Sequence, residues 1–260
     1  MTLTTSFAGI STGLNTDALV AAVMSQESRG LDRLTATQTK NSKKLTVVGS
    51  LKTGINSLNV SLAVLHDKMN TGDSASITTA MQDVVTKFNA VQNLYKDNAT
   101  VTRGSDGSIV LGPLAKDPMI KQMMNDIKLD FSGSKNMTGS SLSNSASIGI
   151  KTGADGNLSM DTATFQTDLA NDPNGVKSIT DYSSLKALTT SYTASTPDSK
   201  ILIIQKTIED QNKTLAIQIS NTQSKLDVRE TLLKAQFSKM ETTIAQLKAA
   251  SSSLFSVTTS

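Results

Sequence analysis

The 260-residue sequence has no cysteine, no tryptophan, four prolines and a single histidine, His66. Without cysteine there are no disulfides, thiolate metal sites or cysteine nucleophiles. His66 sits beside Leu62 and Leu65 in an apolar helical pattern and reads as a helix-surface or boundary residue. Aromatic residues make up 3% of the chain, so the large anchors of a globular core are scarce. Ser and Thr together account for roughly a quarter, well above ordinary usage. Such a chain suits helices with narrow seams and long solvated faces better than a thick core.

Charge is nearly balanced, with 25 Lys and Arg against 22 Asp and Glu, a net charge of +3 and a pI near 9.0. The basic residues are interleaved with acidic ones rather than gathered in a block, so no nucleic-acid partner is expected. GxSxG, HExxH, GxGxxG and Walker spacings are all absent. Asp106-Gly107 and Asp155-Gly156 lack the D-x-[DN]-x-[DN]-G spacing of a calcium loop and are explained by turn chemistry. No enzyme activity, metal or cofactor is expected. The opening "MTLTTSFAGISTGLNTDALVAAVMSQES" has no basic n-region, and Thr, Ser, Asn and Asp break its apolar positions. It is expected to be neither a cleaved hydrophobic signal nor a membrane span, so export would use another route.

What the sequence has in quantity is helical periodicity. Asn15 offers an N-cap before Ala18, Leu19, Ala22 and Val23, and Gly30 is expected to separate this helix from the next. A seam then runs through Leu31, Leu34, Leu45, Val48, Ile55, Leu58, Leu62, Leu65 and Met69. Asn70 to Ser76 reads as a loop, followed by a helix with Ile77, Met81, Val84, Phe88, Val91 and Tyr95 on one face. A short connection between two such helices favours an antiparallel pair. Asp117-Pro118 opens a further helix, with Ile120, Met123, Met124 and Ile127 as its apolar side. Alternation at Ile148, Ile150, Leu158 and Met160 around the Gly153 to Gly156 cluster predicts a hairpin, after which Asp161 caps a short helix ending before Pro173.

The longest pattern, uninterrupted by Pro or Gly from Asp198 to Ala250, would span roughly 80 Å as a helix. Its seam reads Ile201, Ile204, Ile208, Gln211, Leu215, Ile219, Thr222, Leu226, Arg229, Leu233, Phe237, Met240, Ile244, Leu247, with stutters at Gln211 to Ile219 and Arg229 to Phe237. The stripe continues to Leu254, and the N-terminal segment has a stripe of its own, so both ends read as assembly surfaces. A self-contained bundle whose terminal helices pack on each other is the alternative. The predicted class is mainly α: a long antiparallel helical bundle or coiled-coil stalk with a small β-hairpin element.

Several stretches resemble one family in register. "FAGISTGLNTDALVAAVM" resembles the start of the flagellar filament cap family (hook-associated protein 2), through Gly9, Ile10, Ser11, Thr12, Gly13, Leu14 and Asn15, then Asp17, Leu19 and Val20. "LGPLAKDPMIKQM", "SIGIKTGADGNLSMDTATFQTDLANDP" and "LLKAQFSKMETTIAQLKAASSSL" resemble the same family's C-terminal half in the same order. Members of that family carry a large β-rich insertion where this chain has only Asn70 to Ala75, so the resemblance implies a shortened form lacking most of the outer plate.

The resemblance implies residues 1–40 as an N-terminal stalk segment, 41–219 as a helical leg domain with its hairpin near 147–160, and 220–260 as a C-terminal stalk segment. It further implies type III export, a homo-oligomeric ring at the filament tip, and guidance of flagellin into the growing filament. Hook–filament junction proteins would be neighbours, and a chaperone would cover the C-terminal helix before export; no membrane insertion is implied. The interaction residues expected from the stripes are Leu14, Leu19, Val23, Leu233, Phe237, Met240, Ile244, Leu247 and Leu254. Another secreted axial or junction protein, or a helical coiled-coil binding module, is the alternative.

Overall fold

The computed structural model describes residues 13, 15–133 and 141–258, with side chains through residue 252. Eight helices are described: α1 (Thr16–Glu27), α2 (Arg29–Thr71), α3 (Ser74–Asn98), α4 (Pro118–Ser132), α5 (Thr162–Asn171), α6 (Pro173–Ile179), α7 (Ser183–Thr193) and α8 (Lys200–Thr258). Two antiparallel hairpins join them, β1 (Val101–Arg103) with β2 (Ile109–Leu111) and β3 (Ile150–Thr152) with β4 (Leu158–Met160). The fold is therefore mainly α with a small β component, as the periodicity implies. The chain divides into two compact units, residues 1–39 with 211–260 and residues 40–210, and α2 and α8 contribute to both.

Local chemistry sets the helix boundaries. The Asn15 side chain accepts the Ala18 N–H at 2.9 Å and starts α1, and Asp117 does the same for Ile120 at 3.0 Å ahead of Pro118 in α4. The break after α1 falls at Ser28 and not at Gly30, which lies inside the first turn of α2. A lone glycine costs a helix about 1 kcal/mol, which a 43-residue helix absorbs. The connection between α2 and α3 is Gly72-Asp73, shorter than the composition suggests. Asp73 caps α3 through the Ser76 N–H at 2.7 Å, and a side chain at Gly72 would meet the Lys68 carbonyl.

Within the 40–210 unit, Gly54 packs against Val91 and the Ser61 hydroxyl donates to Asp83, so α2 and α3 run antiparallel. The Tyr192 hydroxyl donates to Asp126 at 2.6 Å and Ser184 to Asp130 at 2.8 Å, which sets α7 antiparallel to α4. Lys44 pairs with the largely buried Asp117 at 2.7 Å and ties α2 to the start of α4. These helices enclose one continuous core that extends from Val48 to Ile208.

The narrow-seam expectation does not hold in this unit, because the few aromatics are concentrated where they fill most volume. Phe88 packs on Phe131 at 5.1 Å between centroids, and Phe131 stacks on Tyr182 at 4.5 Å. The buried Ser145 hydroxyl donates to the Phe131 carbonyl at 2.8 Å and lies 3.4 Å from the Tyr182 hydroxyl. Burial pushes the Tyr182 phenol far above its usual range.

A polar ladder on α3 seats the β3–β4 hairpin. The hairpin's own bonds run from Gly153 to Asn157 and from Asp161 to Gly149, so the polar groups of Leu158 face away from β3. Asn89 satisfies both, accepting the Leu158 N–H at 2.7 Å and donating to its carbonyl at 2.8 Å. One turn on, Gln92 donates to the Asp155 carbonyl, Asn157 donates to Asn93, and Lys96 reaches the Asp155 carboxylate at 3.3 Å. Positions 89, 92, 93 and 96 share a helical face, so a single stripe of side chains grips the hairpin. By contrast, β1–β2 exposes every residue of both its strands.

Candidate assembly surface

The stripes singled out in the sequence meet in the unit made of residues 1–39 and 211–260. On α1, Thr16 and Val20 are buried one turn apart, with Val23 and Met24 half-buried further along. On α8, Leu226 and Leu233 are buried, and Leu215, Ile219, Thr222, Glu230, Phe237, Glu241 and Ile244 are half-buried in the same row. Glu27, the last residue of α1, accepts from the Arg229 guanidinium at 3.1 Å. At the other end of α1, Asp17 adds its field to Lys234, so α1 lies antiparallel to α8. The hydrogen bond that Lys234 donates to the Glu230 carboxylate is the larger influence and raises its ammonium above the usual range.

This seam differs in detail from the one predicted. Gln211 and Arg229, expected in core positions, are exposed, and Glu230 takes the inward place between Leu226 and Leu233. The second stutter is thus absorbed by a shift of one residue, which leaves the Arg229 head group in water and paired with Glu27.

The predicted interaction residues fall into four groups. Leu233 is buried within this unit, and Val23, Phe237 and Ile244 are half-buried. Leu19, Met240 and Leu247 are exposed, Leu247 by 64%. Leu254 lies in α8 with its side chain outside the described residues, and Leu14 lies outside them altogether. Of the predicted residues, then, Leu19 on α1 and Met240 and Leu247 on α8 are exposed among the described residues.

A second apolar row on α8 escapes a reading that follows one seam. Ile217, Val228 and Leu232 are exposed by 63%, 69% and 49%, on the side of the helix opposite Leu226 and Leu233. Val228, Thr231, Leu232 and Ala235, together with Asp227, form a shallow, mostly apolar strip on this face. The signal was present in the spacing of 217, 228, 232 and 235, which follows the helical period a half-turn out of phase with the seam. α8 thus has two apolar faces, one packed within its unit and one bare among the described residues. Also among the described residues, no acid or histidine cluster forms a metal site, and no helix is long and apolar enough to cross a membrane.

Comparison with known families agrees over most of the chain. A family model described as the flagellar hook-associated protein 2 C-terminus matches residues 62–249, and the model of the same protein's N-terminus matches residues 12–107. No curated protein matches the chain.

Proposed function

The chain belongs to the flagellar hook-associated protein 2 family, and from that premise we propose that it caps the distal end of the flagellar filament and guides flagellin subunits into place. The observation that carries this reading is that the two family models together reach from residue 12 to residue 249. The family is one of structural flagellar proteins that serve filament assembly and motility, and it has no known enzymatic role. In the proposed scheme the chain leaves the cell through the flagellar type III apparatus and assembles as a homo-oligomeric ring. Residues 1–40 and 220–260 are its stalk segments and 41–219 its leg.

The bare positions on α8 support this division of labour. Met240 and Leu247 offer apolar contact to flagellin, to neighbouring caps and to hook–filament junction proteins. Exposed aliphatics on a solvated helix give contacts that can be broken and remade, which a cap advancing with each added subunit requires. Before export the same surface is an aggregation hazard, and a chaperone bound to the C-terminal helix would shield it. Met240→Ser with Leu247→Ser tests the scheme in cells lacking their own cap protein. The double variant is expected to keep its helical circular dichroism while failing to restore filament growth. Normal growth would refute the assigned role of this face.

A further inference from the structure

We propose that the corner between α2 and the α6–α7 turn is a binding notch for an acidic segment of a protein partner. Two adjoining depressions, of about 330 and 220 Å³, share His66 and Thr180. Leu62 and Met69 of α2 and the ring of the buried Tyr182 supply apolar lining, and the Thr180 hydroxyl is spent on the Val176 carbonyl at 2.8 Å. The rim carries the donors: His66, Lys177 and Ser178 at one depression, and Ser183 and Lys186 at the other.

None of these five side chains holds a hydrogen bond or ion pair among the described residues. Elsewhere in this unit Lys44 pairs with Asp117, Lys87 with Asp83, Lys96 with Asp155 and Lys200 with Asp126. One carboxylate, Asp181, lines the notch, and its Oδ1 already accepts the Ser183 N–H at 3.1 Å. Two ammonium groups, an imidazole and two hydroxyls thus line the adjoining depressions against one carboxylate, Asp181, and the Asn174 amide, an excess of positive charge beside the apolar Leu62 and Met69. That set suits a carboxylate carried on an aliphatic stem, as Glu presents it, with the stem against Leu62 and Met69. A bare inorganic anion would use the donors and leave the floor uncovered.

Because His66 is the sole histidine, its imidazole proton resonance reports on the notch with no assignment needed. The full-length protein at mildly acidic pH and low salt is titrated with a short Glu-rich peptide, and in parallel with a Lys-rich peptide and with inorganic phosphate. The Glu-rich peptide is expected to give a saturable shift that salt weakens, the Lys-rich peptide none, and phosphate a much weaker response. Lys177→Ala with Lys186→Ala should weaken peptide binding roughly tenfold, the summed worth of two partly exposed ion pairs. Lys177→Arg with Lys186→Arg should retain it. Both lysines are exposed, so the fold is unaffected, which circular dichroism verifies. The proposal is overturned by an absent shift, by peptide affinity unchanged in the alanine variant, or by phosphate binding as tightly as the peptide.

Discussion

Removing the Asn89 side chain tests whether the polar ladder on α3 holds the β3–β4 hairpin in place. Asn89 is half-buried and makes two short bonds to one residue, at 2.7 and 2.8 Å, to groups the hairpin itself leaves unpaired. Asn89→Ala strips the partner from both the N–H and the carbonyl of Leu158. A buried group left in that state costs about 1–3 kcal/mol, and the partial access of water here favours the low end, so the pair amounts to about 2–3 kcal/mol. With a urea m-value of about 2 kcal/mol per molar, the midpoint should fall by about 1 M. Amide exchange at Leu158 should accelerate by roughly 30- to 150-fold, since its protecting acceptor is gone.

Asn89→Asp sharpens the test, because a carboxylate still accepts from the N–H but sets an oxygen against the Leu158 carbonyl. Protonation restores a donor, so the deficit of this variant relative to the parent should shrink as pH falls through the carboxyl range, about 4. An alanine variant with an unchanged midpoint and unchanged Leu158 protection would refute the account of the hairpin's seating.

Three further outcomes follow from the packing and the caps. Phe131→Ala removes a fully buried ring that touches both Phe88 and Tyr182 and should cost about 3–5 kcal/mol in chemical denaturation. Gly149→Ala should cost about 1–2 kcal/mol, because Gly149 has φ +80° and a Cβ there would lie 2.8 Å from the Asp161 carbonyl oxygen. Hydrogen bonds from Thr164 hold the Asp161 carboxyl below its usual range, as those from Ser76 do for Asp73. A carboxyl whose folded value is depressed adds stability that is present above about pH 4 and lost as pH falls further, so Asp161→Asn should flatten the acid limb of the melting-temperature profile.

The long helices could be read in the sequence because their apolar spacing runs for many turns without a breaker, and the caps at Asn15, Asp117 and Asp161 stand where the side chains predict. α7 was hidden for a physical reason. Its inward row includes Thr189 and Thr193, which look polar, but the Thr193 hydroxyl donates to the Thr189 carbonyl of its own helix, and the Thr189 hydroxyl is taken up between the Leu185 carbonyl and the Asn59 side chain of α2. The β1–β2 hairpin gives a turn signal at Asp106-Gly107, yet exposure of both its faces removes the in–out alternation that marks a strand. On α8, the sequence pattern showed neither the shift that turns Glu230 rather than Arg229 inward between Leu226 and Leu233, nor the second row at Ile217, Val228 and Leu232. Both depend on which face of α8 meets α1, a tertiary fact that one helix's periodicity does not contain.

Electron microscopy of the purified protein mixed with filament fragments tests whether this chain acts as a cap. A capping protein should give a ring of several copies seated at one end of the fragments. Bare ends, with the protein monomeric in solution, would contradict it.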